Sequence, residues 1–136
     1  MARERIVLDN NVLVSGLLLP DSIPGQVFKR AGTCDILVSE ATLNDLADVL
    51  SRKKFDRYVC LRDRQEFLRL LSRVAEIVTT AHAIRVCRDP KDNMLLEVAV
   101  NGSAQALVTV DRDLVSLNPF RGVMIVTPSK YIRRDA

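Results

Sequence analysis

Ile6-Val7-Leu8-Asp9-Asn10-Asn11 is a short apolar run that stops abruptly at an acid and two amides. A run with no polar alternation is what a strand shows when both of its faces are covered, as in the centre of a parallel sheet. Three further runs share the design. Ile36-Leu37-Val38 ends in Ser39, Ala106-Leu107-Val108-Thr109-Val110 ends in Asp111, and Val123-Met124-Ile125-Val126 ends in Thr127-Pro128. Ala75-Glu76-Ile77-Val78 is a weaker strand candidate. Helical patterns lie between the runs. Ser39 is placed to cap a helix with the apolar stripe Leu43, Leu46, Val49 and Leu50. A second helix is predicted over 63–74, with Phe67, Leu70 and Leu71 inward. A third has Asp89 at its N-cap, Pro90 first and Asp92 third, then Leu95, Val98 and Ala99, with Asn101-Gly102 as a left-handed stop. Strands alternating with helices predict an α/β fold on a parallel sheet with right-handed crossovers.

The 136 residues suit a single domain spanning 1–136, with no repeat, low-complexity tract or linker to divide them. Met1-Ala2-Arg3-Glu4-Arg5 leads into an apolar run broken by Asp9, which is not the pattern of a secretory signal. No apolar run approaches the roughly 20 residues that span a bilayer, so a cytoplasmic protein without membrane contact is expected. Cys34, Cys60 and Cys87 are odd in number and scattered, which argues against disulfides and zinc and predicts small hydrophobes in or near the core. With His82 as the only histidine, a catalytic metal would be held by oxygen, which favours magnesium or manganese. The net charge is a mild +3, with positives grouped in Arg52-Lys53-Lys54, Arg57, Arg62 and Arg64, then Lys130, Arg133 and Arg134. Such groups could track a phosphate backbone or simply form solvated faces.

The acids carry the chemistry. Ligands of open parallel sheets bind beyond the carboxyl ends of the strands, and Asp9 and Asp111 each follow a predicted strand. Asp92 lies in a first helical turn, which crossover geometry brings to the same edge. Asp45 sits about one and a half turns into its helix, off the apolar stripe. Each has a plain structural reading: Asp111 as a turn opener, Asp92 as a first-turn acid complementing the helix dipole, Asp45 as a solvated residue. Together they would repel one another unless a divalent cation compensated them, and two such ions about 3.5–4 Å apart clamp a phosphodiester displacement. Glu40 and Asp89 have sufficient roles in helix capping, and spacing leaves open whether Asp89 and Asp113 enter the site as outer-shell acids.

In these blocks the chain resembles the PIN-domain family, in the branch of toxin halves of bacterial toxin–antitoxin pairs. The blocks are 6–15, 39–50, Arg88-Asp89-Pro90-Lys91-Asp92-Asn93, 107–114 and Ile125-Val126-Thr127-Pro128, in the family's order over nearly the whole chain. The resemblance implies a three-layer α/β/α sandwich around a central parallel sheet. It also implies Mg2+- or Mn2+-dependent cleavage of RNA, a cognate antitoxin as partner, and often a homodimer. It maps the family's four metal-binding acids to Asp9, Asp45, Asp92 and Asp111, a supporting asparagine to Asn11, and a threonine orienting the fourth acid to Thr109. The chain departs from the pattern at Asp45, where glutamate is usual, at Asn10 in place of serine or threonine, and at Val110 in place of glycine. The alternatives are a binding module that keeps the acids on the same fold, and a phosphatase or phosphoacceptor domain. The latter two lack support, because Asn11 stands where the phosphatases want a second aspartate and Lys130 is a poor match to the receiver-domain lysine.

Overall fold

Successive residues of a strand point to opposite faces, and here both faces are apolar. In the computed structural model, which describes residues 3–134, Ile6 and Leu8 enter one buried cluster and Val7 the other. The split repeats at Ile36 and Val38 against Leu37, and at Ala106 and Val108 against Leu107. Residues 1, 2, 135 and 136 lie outside the described part. The strands are β1 (Arg5–Leu8), β2 (Asp35–Val38), β3 (Glu76–Ile77), β4 (Ala106–Val108) and β5 (Met124–Val126). All are parallel, in the order β3-β2-β1-β4-β5.

Seven helices complete the described architecture: α1 (Asn10–Leu18), α2 (Ile23–Ala31), α3 (Glu40–Leu50), α4 (Leu61–Val74), α5 (Pro90–Asn101), α6 (Arg112–Val115) and α7 (Pro128–Arg133). Side chains of α1 to α4 and α7 fill one face of the sheet, and those of α5 and α6 the other. The result is the expected α/β/α sandwich. Helix α1 was not legible because Val12, Leu13, Val14 and Gly16 are all buried, so no amphipathic stripe marks it. Helix α2 rests on the Ser22 cap and on Pro24 in its first turn.

Several local expectations are corrected. The run 106–110 is shorter as a strand than predicted: β4 stops at Val108, and Val110 is exposed. Leu70 faces solvent, and the inward stripe of α4 is Arg64, Phe67, Leu68 and Leu71. The two readings differ by one position, and the deciding residue is a charged one. Cys60 is exposed, whereas Cys34 is buried and Cys87 half-buried. The left-handed residue after α5 is Ser103 (φ 54°), not Gly102 (φ −91°). Ala104 N–H bonds Ala99 O at 2.8 Å and Ser103 N–H bonds Val100 O at 3.2 Å, the Schellman pattern with Ser103 at its turn. Gly102 serves packing instead, since a Cβ there would stand 2.8 Å from Leu37 Cδ1 and 2.9 Å from Val78 Cγ2.

Arg64 had been grouped with the surface positives, yet it is fully buried. Its Nη1 donates to Leu50 O at 2.7 Å and Arg52 O at 2.9 Å, and its Nη2 pairs with Asp56. Leu50 ends α3 and Asp56 lies in the connection to α4, so one guanidinium ties the connection's backbone to the helix behind it. Removing a buried charged donor strands its acceptors, at about 1–3 kcal/mol for each unsatisfied group. Arg64→Met is therefore expected to lower the free energy of urea unfolding by about 3 kcal/mol, against less than about 0.5 kcal/mol for the exposed Arg62→Met. Equal midpoints for the two variants would return Arg64 to the solvated surface.

Candidate active site

β1 lies between β2 and β4, so the connections leaving the sheet's centre diverge at the carboxyl end of β1, the position where open α/β sheets form crevices. Asp9 is the first residue past β1, and its N–H extends the ladder to Val108 O at 3.0 Å. It is also the N-cap of α1, its Oδ1 accepting from Asn11 N–H at 3.1 Å. Its Oδ2 accepts from the Thr109 hydroxyl at 2.7 Å. Thr109 Oγ1 in turn accepts from Asp111 N–H at 3.0 Å, and the Asp111 carboxylate caps α6 through Asp113 N–H and Leu114 N–H at 2.8 and 3.2 Å. Val110, between them, has no positive φ, so its β-branch imposes no left-handed strain on Asp111.

The other two acids arrive on helices. Asp92 is the third residue of α5, behind the N-cap Asp89, whose carboxylate accepts from Lys91 N–H at 2.9 Å. Asp45, in α3, accepts from Asn10 Nδ2 at 2.9 Å and pairs with Lys91 Nζ at 3.1 Å. All four acids line one cleft of about 170 Å³, together with Asn10, Asn11, Asp89, Lys91 and Arg52. The Asn11 side chain is exposed at its wall; only its backbone touches Asp9. Glu40 and Asp113 stay outside. Glu40 borders a separate surface groove with Thr79 and Thr80, and Asp113 pairs with Arg88 at 3.2 Å.

Asn10, Lys91, Arg52 and Asp89 are cleft residues that the sequence reading did not assign to the site. A signal existed for two of them. If crossover geometry brings the start of α5 to the sheet edge for Asp92, it brings the neighbouring Asp89 and Lys91 with it. Arg52 is marked only by the basic group Arg52-Lys53-Lys54, which does not place it at the cleft, and it lies beyond the end of its helix.

Asp9 and Asp92 are each only 7% exposed. Burial pushes the Asp9 carboxyl up, the Thr109 hydroxyl and Asn11 N–H oppose this, and the charges of Asp111 and Asp45 add to the rise. Burial likewise pushes Asp92 up, to about 6, helped by the charges of Asp111 and Asp89 and by a hydrogen bond with the Asp111 carboxyl. The negative field reaches Cys87, whose thiol is raised by burial and by Asp92, Asp111, Asp113 and Asp89.

The donor set fits a hard divalent cation: carboxylate oxygens from four elements, and neither imidazole nor thiolate on the cleft wall. Among the described residues, no three acid, histidine or cysteine side chains close on a common point as they stand. Asp45 is instead engaged by the Lys91 ammonium.

A carboxyl raised in the folded state binds more protons folded than unfolded, so its stability contribution falls as pH rises through the interval between the two values. For Asp92 that interval runs from about 4 in the unfolded chain to about 6 in the folded one. The metal-free protein should lose melting temperature from pH 4 to pH 6. Asp92→Asn should flatten that decline and melt several degrees higher at pH 7.5. A variant no more stable at pH 7.5 would mean that no repulsion is stored at this position.

The chain matches the PIN domain family over residues 5–113. It is 30% identical over 116 residues to the uncharacterised protein MJ1680 of Methanocaldococcus jannaschii, covering 83% of this chain and 74% of that one. Among solved structures it is similar to VapBC2 from Rickettsia felis, determined bound to a DNA fragment from their promoter. The TM-score is 0.62 at 15% identity, covering 90% of this chain and 98% of that one. It is also similar to PAE2754 from Pyrobaculum aerophilum, with a TM-score of 0.61 at 18% identity, covering 98% of this chain and 90% of that one. At such identities the structural likeness speaks for the fold, which agrees with the parallel sheet and its flanking helices. The sequence matches carry the assignment further: this chain belongs to the PIN-domain family, whose members are typically metal-dependent nucleases.

Proposed function

We propose that this chain is a metal-dependent endoribonuclease that hydrolyses RNA phosphodiester bonds, the toxin of a toxin–antitoxin pair. The observation that carries the reading is the convergence of Asp9, Asp45, Asp92 and Asp111 on one cleft, with Asp9 and Asp92 buried. Such a concentration of buried acid destabilises the fold unless something cationic enters, which suits a functional site better than a structural one. Family membership supports the nuclease part. The RNA substrate, the antitoxin and a homodimeric state extend the resemblance on which the sequence reading rests.

In this reading Asp9, Asp45, Asp92 and Asp111 hold Mg2+ or Mn2+. The ion, when bound, would neutralise the acids, polarise a phosphoryl oxygen and make hydroxide available at neutral pH. The chain's own contribution is positional. Thr109 presents its hydroxyl proton to Asp9 and its lone pair to Asp111 N–H, so it sets the spacing of two acids from different elements. Asn10, which stands where serine or threonine is usual, anchors Asp45 by its amide and compensates for the shorter side chain by fixing its direction. Lys91 and Arg52 place positive charge on the cleft wall, where the non-bridging oxygens of a phosphodiester would lie. In the hydrolysis a water oxygen gives up a proton and bonds to phosphorus, the bond to the leaving ribose oxygen breaks, and that oxygen takes up a proton.

The ion pair between Lys91 and Asp45 favours a second reading, a binding module on the same fold in which one acid is already neutralised. Cleavage of a pool of single-stranded and structured RNA separates the two. With Mg2+ or Mn2+ the purified protein should cut RNA, EDTA should stop it, and Asp9→Asn should lower the rate by at least about a thousandfold while remaining folded. Thr109→Val, which keeps the shape but neither hydrogen bond, should cost about 10–100-fold. Equal cleavage by wild type and Asp9→Asn would betray a contaminant, and RNA binding without cleavage would establish the module.

A further inference from the structure

The connection between α3 and α4 begins at the cleft and is built unlike a passive loop. Arg52 lines the cleft wall. From it runs Lys53-Lys54-Phe55-Asp56-Arg57-Tyr58, opening with a 3-10 turn over Lys53–Phe55. Two side chains face inward. Phe55 packs against the core cluster, and the fully buried Arg64 grips Arg52 O and Asp56 from beneath. Lys53, Lys54 and Arg57 all face solvent, and Asp56, the one acid of the stretch, is already paired with Arg64. Tyr58 is 59% exposed although it is large and aromatic, with the Arg57 guanidinium 5.9 Å from its ring centroid. The turn is thus held from inside and presents cations and one free ring outside. Tyr58 stands only six residues beyond the cleft-lining Arg52, on the same short connection.

We propose that this connection is the track of a single-stranded RNA substrate, with phosphates on Arg52, Lys53, Lys54 and Arg57 and an unstacked base on the Tyr58 ring. The inference rests on the nuclease reading and deepens it by naming the residues of this chain that would seat the substrate strand. Cations alone would not distinguish strands, because they read phosphate. The ring does, since a duplex keeps its bases stacked inward and only a splayed base offers a face to an aromatic platform. The preformed turn also reduces the ordering cost that a floppy basic loop would bring to binding.

The test measures binding without cleavage, in an Asp9→Asn background with Mg2+ present. Fluorescence anisotropy would follow a labelled oligouridylate of about 12 nucleotides, alone and annealed to oligoadenylate, over a range of salt. The single strand should bind at least about tenfold tighter than the duplex. Tyr58→Ala should weaken single-strand binding by about tenfold at an unchanged salt slope, and Tyr58→Phe should restore it. Replacing Lys53, Lys54 and Arg57 together by glutamine should reduce the slope by about 2. A spectroscopic readout accompanies these: the chain has two tyrosines and no tryptophan, and Tyr131 is buried. A stacking uracil should therefore quench emission, and the quench should vanish in Tyr58→Ala. Tight binding that ignores Tyr58→Ala, or equal affinity for duplex, overturns the track while leaving the nuclease reading standing. Absence of binding to either oligonucleotide overturns the track, and cleavage of the mixed RNA pool by the wild-type protein then decides the nuclease reading separately. Retained RNA binding with lost affinity for a protein partner would overturn the track in favour of a protein-docking surface.

Discussion

One buried hydrogen bond, from the Thr109 hydroxyl to Asp9 Oδ2, joins positions a hundred residues apart and organises what lies beyond the sheet. Asp9 and Thr109 each stand immediately after a strand, and β1 and β4 are neighbours in parallel register, with Leu8 opposite Val108. The register brings the two residues side by side, and the bond then fixes the carboxylate. Because the same Thr109 oxygen accepts from Asp111 N–H, the position of the second acid follows from the first. Burial of the threonine matters here: a hydrogen bond to a charged group in a dry setting is strong, and leaving either partner alone would be costly.

Three acids of the cleft are also helix caps. Asp9, Asp89 and Asp111 are N-caps of α1, α5 and α6, each satisfying amide groups that a helix start leaves without partners. At Asp9 the capping amide stabilises negative charge where burial and the neighbouring Asp111 and Asp45 disfavour it. The helices thereby tolerate a local conflict that the sheet topology creates, and Lys91 relieves part of it by sitting against Asp45. Conflict between local stability and a shared purpose is common at functional sites.

The α3–α4 connection shows the opposite economy. Its burial of Arg64 places a charge in the core, which is worthwhile only with the partners arranged around it: two carbonyls and one carboxylate. A hydrophobic residue would have packed the space, but it could not hold the backbone of residues 50–56 in one shape. The basic residues Lys53, Lys54 and Arg57 stand on the outer side of the backbone that this guanidinium holds.

The strand cores and the places of Asp9 and Asp111 at the carboxyl edge of the sheet were legible in the amino-acid sequence, because continuous apolar runs closed by these two acids record a sheet covered on both faces. The α3 stripe and the α5 cap were legible for a similar reason, since a cap and a periodic face are local properties of a helix. Helix α1 was hidden by being buried nearly all round, and Leu70 and Arg64 exchanged expected sides because hydrophobicity alone places charge outside. Ser103 took the left-handed turn that Gly102 was expected to supply, since the glycine was needed where Leu37 and Val78 approach. Only the tertiary structure decided that Lys91 and Asn10 converge on Asp45 and that Arg64 lies beneath a basic turn. Those contacts depend on how helices from distant parts of the chain are set against one sheet, and no local pattern of residues encodes that distance.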